Sequence, residues 1–301
     1  PGIKLEINRE PLNLQDWLGV ATAQQTNTPS FNINELKVHS QTAMLNKTRL
    51  GVFDLDLKRG PSFWSGEIDS ALARGKLQFP AEMKGVTPVV MELDMVSLTA
   101  LKQLNMQGGS SVGNGFKPLL KIQSKKTLWQ RENLGELILE TERTQNGMKI
   151  KRLELLGVDE KLLSKGNWRE VGLNSTTQLN GKLEMNKADE LFDKLNITKD
   201  FTNTNGVIDY KLNWNAAPWQ LAMANLRGTM DVKLNNGRIL SIEPGFGRVL
   251  GILAVAQWIK RLQLDFGDIY KEGLTFDSIK GHFDLLNGKA TTKDLTIDAV
   301  P

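Results

Sequence analysis

The sequence has no cysteine, so no disulfide framework, thiolate metal centre or thiol nucleophile is available to it. It has only two histidines, His39 and His282. That excludes a histidine-rich metal site, and a Ser-His-Asp arrangement would have to use one of these two. No run reaches the roughly 18–20 apolar residues of a membrane-spanning helix, and no signal peptide opens the chain. Nor is there a strong excess of one charge: 38 Lys and Arg face 34 Asp and Glu, a net +4. The small surplus permits contact with anionic surfaces but gives no footprint for nucleic acid. The chain runs from Pro1 to Pro301 and reads as an excerpt of a longer protein, so an anchor or signal would lie outside it. At 301 residues it is long enough for one to three domains with cores of useful size.

What is abundant is alternation. Ile3, Leu5 and Ile7 alternate with polar residues, as do Phe53, Leu55 and Leu57. So do Ile208, Tyr210, Leu212 and Trp214, then Met230, Val232 and Leu234, then Phe283 and Leu285, and Leu295 and Ile297. A period of two is the pattern of strands with one buried and one solvated face. Turn formers separate the runs: Arg59-Gly60-Pro61, Asn146-Gly147, Asn235-Asn236-Gly237 and Asn287-Gly288. The expectation is a mainly β chain, an antiparallel meander with short connections.

A loose repeat is present. Leu50-Gly51 opens one strand and Leu134-Gly135 another, and each is followed by a hairpin and a glycine-marked strand, at Arg74-Gly75 and Lys165-Gly166. Between the copies lies the Gly/Ser/Asn run 108–115, the best linker candidate, dividing the chain into 1–107 and 116–301. Three segments read as helix: Leu14–Gly19 behind an Asn13 cap, Lys187–Leu195, and an apolar stretch over 244–262 with Pro244 in its first turn and Lys260 and Arg261 in its last.

Candidate chemistry is thin. Gly245-Phe246-Gly247-Arg248-Val249-Leu250-Gly251 follows a strand and opens a helix, but its spacing is GxGxxxG and no βαβ unit surrounds it. Glycines that let a helix pack closely are the plainer reading. Asp54 and Asp56 share one outward strand face, which suits a solvated surface better than a glycosidase pair, and Asp265/Asp268 offers no more. His39 and His282 lie within alternating strands without a clear partner. The tryptophans are scattered, without the basic interleaving of a nucleic-acid platform. The residues name no catalytic group, cofactor or metal.

The segment Leu234–Gly251, with Asn236-Gly237-Arg238-Ile239-Leu240-Ser241-Ile242-Glu243-Pro244-Gly245, resembles the C-terminal signature of YhdP-type AsmA-like proteins. The later run Gly273-Leu274-Thr275-Phe276-Asp277-Ser278-Ile279-Lys280-Gly281-His282-Phe283 and the upstream Leu212-Asn213-Trp214 and Ala217-Pro218-Trp219 fit the same family. The resemblance is most specific over residues 180–301. It implies a long curled antiparallel sheet forming a β-groove, with a few short helices, and non-enzymatic phospholipid transport between the inner and outer membranes. The implied place is the periplasm, with an inner-membrane anchor outside this excerpt. The implied partners are phospholipid acyl chains and the two membranes; envelope protein partners are left open. The groove-lining candidates are Ile208, Tyr210, Leu212, Trp214, Met230, Val232, Leu234, Phe283 and Leu285. Phe246, Leu250, Leu253 and Trp258 on the 244–262 helix would cap the groove. The alternative is a structural scaffold of the envelope that docks proteins without carrying lipid, with a filled core. A nucleotide-using enzyme built on the Gly245–Gly251 loop is a distant third.

Overall fold

The computed structural model of the chain describes residues 2–14, 33–45, 48–81, 87–99, 119–172, 174–240 and 273–299. Packing divides the chain into two compact units, Pro1–Lys151 and Arg152–Pro301.

The first unit is built from β1 (Ile3–Asn8), β2 (Ile33–Leu45), β3 (Thr48–Arg59), β4 (Phe63–Ser70), β5 (Ala73–Pro80), β6 (Val89–Ser97), β7 (Leu120–Ser124), β8 (Thr127–Trp129), β9 (Glu132–Asn133) and β10 (Glu136–Thr144). The division between the units falls inside β11 (Gly147–Leu156). Strands β2 to β6 form the expected antiparallel meander. The sheet is not antiparallel throughout, however. β1 pairs with β2 in parallel, and β7 and β8 both pair with β6 in parallel. These joins follow the long connections 9–32 and 98–119, and a parallel pair requires a crossover of about a dozen residues or more. Alternation reports the buried face of a strand and is blind to its direction, so the fold is a mixed sheet where an antiparallel one was expected.

The repeat has a physical basis. Leu50 and Leu134 are both buried, and Gly51 and Gly135 both take positive φ, +75° and +99°. Each Leu-Gly pair therefore drops a leucine into the core and turns the chain with a residue that tolerates the left-handed region. The later glycines also match. A Cβ on Gly75 would lie 2.5 Å from the Glu92 carbonyl oxygen, and one on Gly166 would lie 2.1 Å from that of Gln178.

The second unit is antiparallel throughout its described pairings. It contains β12 (Glu160–Val171), β13 (Asn174–Met185), helix α1 (Ala188–Lys194), β14 (Phe201–Thr202), β15 (Asn205–Trp214), β16 (Arg227–Asn235), β17 (Arg238–Ile239), β18 (Leu274–Leu286), β19 (Lys289–Thr292) and β20 (Thr296–Ala299). The order across the sheet is β12-β13-β15-β16-β18, and the far edge of β18 is shared by β19 and β20. The β18–β19 turn uses Asn287 and Gly288 at φ +52° and +77°, both left-handed, the geometry that favours Asn-Gly in tight hairpins.

Helix α1 lies where helical spacing placed it. Asp189 and Glu190 occupy its first turn and Lys194 its last, matching the helix dipole. Asn196, at φ +55°, stops it. Ala188 and Leu191 are its buried face. The helix expected over Leu14–Gly19, past Leu14, lies outside the described residues. So do the 108–115 run, Asp265 and Asp268, and the 244–262 helix with the Gly245–Gly251 loop.

Candidate functional site: the apolar face of the second unit

Register decides which side chains share a face. From β12 to β18, one row across the sheet is Leu162, Leu183, Ile208, Val232 and Gly281. The next is Ser164, Gly181, Tyr210, Met230 and Phe283, and the third is Gly166, Leu179, Leu212, Gly228 and Leu285. All nine lining candidates named from sequence lie on this one face, in these rows or in the flanking positions of Leu234 and Trp214. The four candidates Phe246, Leu250, Leu253 and Trp258 lie outside the described residues.

The face is closed toward both ends of its strands and half-open between them. At one end Trp214, Leu226, Leu285 and Ala290 form a buried cluster, and the Trp214 indole N–H donates to the Ala217 carbonyl at 3.0 Å. At the other end α1 packs down. Phe192, Phe201 and Phe276 there stack edge to face at 5.8 and 6.3 Å, and the buried Glu160 carboxylate meets Lys194 Nζ at 3.5 Å. In the middle, Leu162, Leu179, Leu183, Ile208, Tyr210, Leu212, Met230 and Val232 are all only partly buried. Partly exposed apolar side chains contiguous over four strands are unusual on a surface that meets only water.

Leu162, Leu179 and Leu183 escaped the sequence reading. Their strands alternate leucine with Ser164, Gly166 and Gly181, and these small residues break the apolar run that reveals a strand face. They are small because the strands approach closely. A Cβ on Gly181 would lie 2.6 Å from the Leu163 carbonyl oxygen, and one on Gly228 would lie 1.9 Å from that of Lys211.

The opposite face is polar and ion-paired. Lys182 reaches Glu184 at 3.0 Å. Each histidine has an aspartate partner, contrary to the sequence reading: His282 on this face, and His39 on the charged face of the first unit. His39 bonds Asp54, directly across the β2–β3 pair, and His282 Nδ1 lies 2.7 Å from Asp231, directly across β16–β18. A cavity of about 790 Å³ in the first unit also lies over a charged face. It is lined by Lys37, His39, Asp54, Asp56, Asp69 and Arg74 among others. Asp56 there is held by Lys37 at 3.0 Å and Asp69 by Arg74 at 2.8 Å. A cavity with such a lining suits polar ligands and water rather than acyl chains, so it is not the counterpart of the apolar face.

Both imidazoles are held above their ordinary pKa, chiefly by the aspartate hydrogen bond; desolvation opposes this, and Glu10 beside His39 and Asp284 and Asp294 beside His282 add to it. A raised folded-state pKa stabilises the fold when the ring is protonated. This contribution is fully present below the unfolded value of about 6.5 and is lost as pH rises through the folded values. The melting temperature of the wild-type chain is therefore expected to lose a small increment between pH 6 and pH 8. In the double variant His39→Gln, His282→Gln that decline should flatten. An unchanged slope in differential scanning calorimetry would show that these two pairs do not contribute.

The model of the YhdP protein family matches residues 1–301, the whole chain. The chain belongs to the YhdP family. It is also 33% identical over 141 residues to the protein named intermembrane phospholipid transporter YhdP of Escherichia coli (strain K12). That alignment covers 46% of this chain and 11% of the relative, so the chain spans only a small part of that protein's length. No solved structure matches the chain. Membership extends the resemblance, most specific over 180–301, to the first unit as well. Among the described residues no helix is long and apolar enough to cross a membrane.

Proposed function

We propose that this chain is a segment of a periplasmic conduit that moves phospholipid between the inner and outer membranes, with acyl chains lying on the apolar face of the second unit and headgroups in water. The observation that carries this reading is the half-buried middle of that face, with Leu162, Leu183, Ile208 and Val232 in one row and Leu179 and Leu212 in another. A scaffold with a filled core would bury them.

Glycine supports an inward curl of this face. Gly166, Gly181 and Gly228 all lie on it, and at each a Cβ would collide with a neighbouring strand's backbone. Strands that approach this closely on one side bend toward that side, and glycine kinks are the usual device for such curvature. The rows run across the strands, so the trough does too. From β12 to β18 it spans four strand spacings, roughly 19 Å at about 4.8 Å each. The Trp214 cluster and α1 then form its two rims.

Energetics suit sliding. Each CH₂ taken from water is favoured by about 0.8 kcal/mol wherever it lies on the face, so an acyl chain is held without being fixed at one position. An inner-membrane anchor outside this segment and passage to the outer membrane complete the reading. The test is site-specific photo-crosslinking in the full-length protein expressed in cells. A photoreactive residue at Ile208 should give adducts with the mass of phospholipid, and one at Lys233, on the opposite face, should not. Lipid adducts at both positions or at neither would overturn the assignment.

A further inference from the structure

The middle row of the apolar face differs from its neighbours. The rows on either side carry only apolar side chains and glycine, whereas this one carries two hydroxyls, Ser164 on β12 and Tyr210 on β15. The strand between them contributes Gly181, and the Tyr210 ring lies across it: a Cβ on Gly181 would come within 2.5 Å of Tyr210 Oη. The phenol thereby spans a whole strand and its oxygen is hydrogen-bonded to Ser164 Oγ.

Proton counting leaves something over. Two hydroxyls bring two hydrogens. Their mutual bond uses one. The second hydrogen has no acceptor among the described residues, since neither side chain makes another bond there. Ser164 is buried, so the partner with access to the open middle of the face is Tyr210. Burial pushes the Tyr210 phenol above its ordinary pKa, only partly offset by the Ser164 bond, so it stays a neutral donor at physiological pH. Water takes this hydrogen while the face is empty; once acyl chains displace that water, the donor costs free energy unless the lipid brings an acceptor.

We infer that Tyr210, steadied by Ser164, donates its spare hydrogen to an ester carbonyl of a glycerolipid whose acyl chains occupy the flanking apolar rows. This inference rests on the proposed function and deepens it. An ester carbonyl is the acceptor that a lipid carries next to its chains, and it is a neutral group that can enter such a face. The hydroxyl pair is then a waypoint that registers the lipid backbone against the sheet, at one row of an otherwise uniform track. A net hydrogen bond of about 0.5–1.5 kcal/mol corresponds to roughly a two- to twelvefold preference, strong enough to select and weak enough to release.

The test uses the full-length protein with vesicles holding equal amounts of diester and diether phosphatidylethanolamine. These lipids differ only in the carbonyls. A photoreactive residue at Leu183, one row from Tyr210, should capture the diester several-fold more often than the diether. In Tyr210→Phe, which keeps the ring over Gly181, the ratio at Leu183 should fall to about one while the protein stays folded, its melting temperature only a few degrees lower for the lost Ser164 bond. Equal capture of both lipids at Leu183 in the wild type, or a preference that survives in Tyr210→Phe, overturns the waypoint while leaving lipid carriage intact. Capture of neither lipid at Leu183 overturns the underlying reading as well.

Discussion

Gly228→Ala should lower the unfolding midpoint of the chain by roughly 8–16 °C. Two independent penalties meet at this residue. Its φ is +140°, a region that side chains with a Cβ rarely adopt, and strain of this kind costs on the order of 1–3 kcal/mol. The added methyl would also lie 1.9 Å from the Lys211 carbonyl oxygen and 3.0 Å from the Leu212 Cα, both backbone atoms that cannot swing aside. Overpacking against a fixed neighbour costs about another 1–3 kcal/mol. A combined loss of about 4 kcal/mol, at roughly 2–4 °C per kcal/mol for a unit of this size, gives the stated shift. Gly172→Ala is the control. Gly172 also has positive φ, +60°, but a Cβ there meets nothing within 4 Å. Its variant carries the dihedral penalty alone, about 1 kcal/mol, and should melt only a few degrees lower. Thermal unfolding followed by circular dichroism separates the two. Equal shifts would mean that the close approach at Gly228 relaxes freely, and the curvature argument built on these glycines would lose its support.

The same glycines explain what the sequence conceals. Strands such as Ile208–Trp214 and Met230–Leu234 announce themselves, because large apolar residues stand at every second position and the residues between them are polar. Register then follows from facing: a slip of one residue would put Lys211 and Asp231 on the apolar side. Where strands crowd, the face is made of glycine and serine instead. Gly166, Gly181 and Ser164 leave only Leu162, Leu179 and Leu183 to mark it, and alternation falls below notice. The Tyr210–Ser164 bond spans 46 residues of sequence and exists only because Gly181 lies between its partners in space. The histidines illustrate a different gap. His39 and His282 find aspartates through cross-strand register, a relation that no local spacing displays. The parallel joins of β1, β7 and β8 are concealed for a third reason, since a strand's apolar period is the same in either direction.

Val232→Asp should reduce phospholipid occupancy of the second unit by about a thousandfold at pH 7, and most of that loss should be recovered at pH 5. Val232 stands in the middle of the half-open face, between Ile208 and Gly281. A carboxylate there faces water while the trough is empty, so the fold tolerates it better than it would in a closed core. An acyl chain laid over it would strip that water away. The least expensive escape is protonation. Neutralising a carboxyl of ordinary pKa, about 3.9, at pH 7 costs about 4 kcal/mol, which is close to a thousandfold in binding. At pH 5 the same step costs about 1.5 kcal/mol, close to tenfold, so occupancy should rise by about two orders of magnitude between the two conditions. Val232→Asn, which cannot titrate, should show a loss that stays level with pH. Lys233→Asp, on the opposite face of the same strand, should leave occupancy unchanged. The readout is crosslinking yield from a photoreactive residue at Ile208, normalised to protein abundance. A Val232→Asp variant that retains wild-type yield at pH 7 would place the acyl chains elsewhere. A loss without recovery at acid pH would point to a damaged fold rather than to a charge in the path of the lipid.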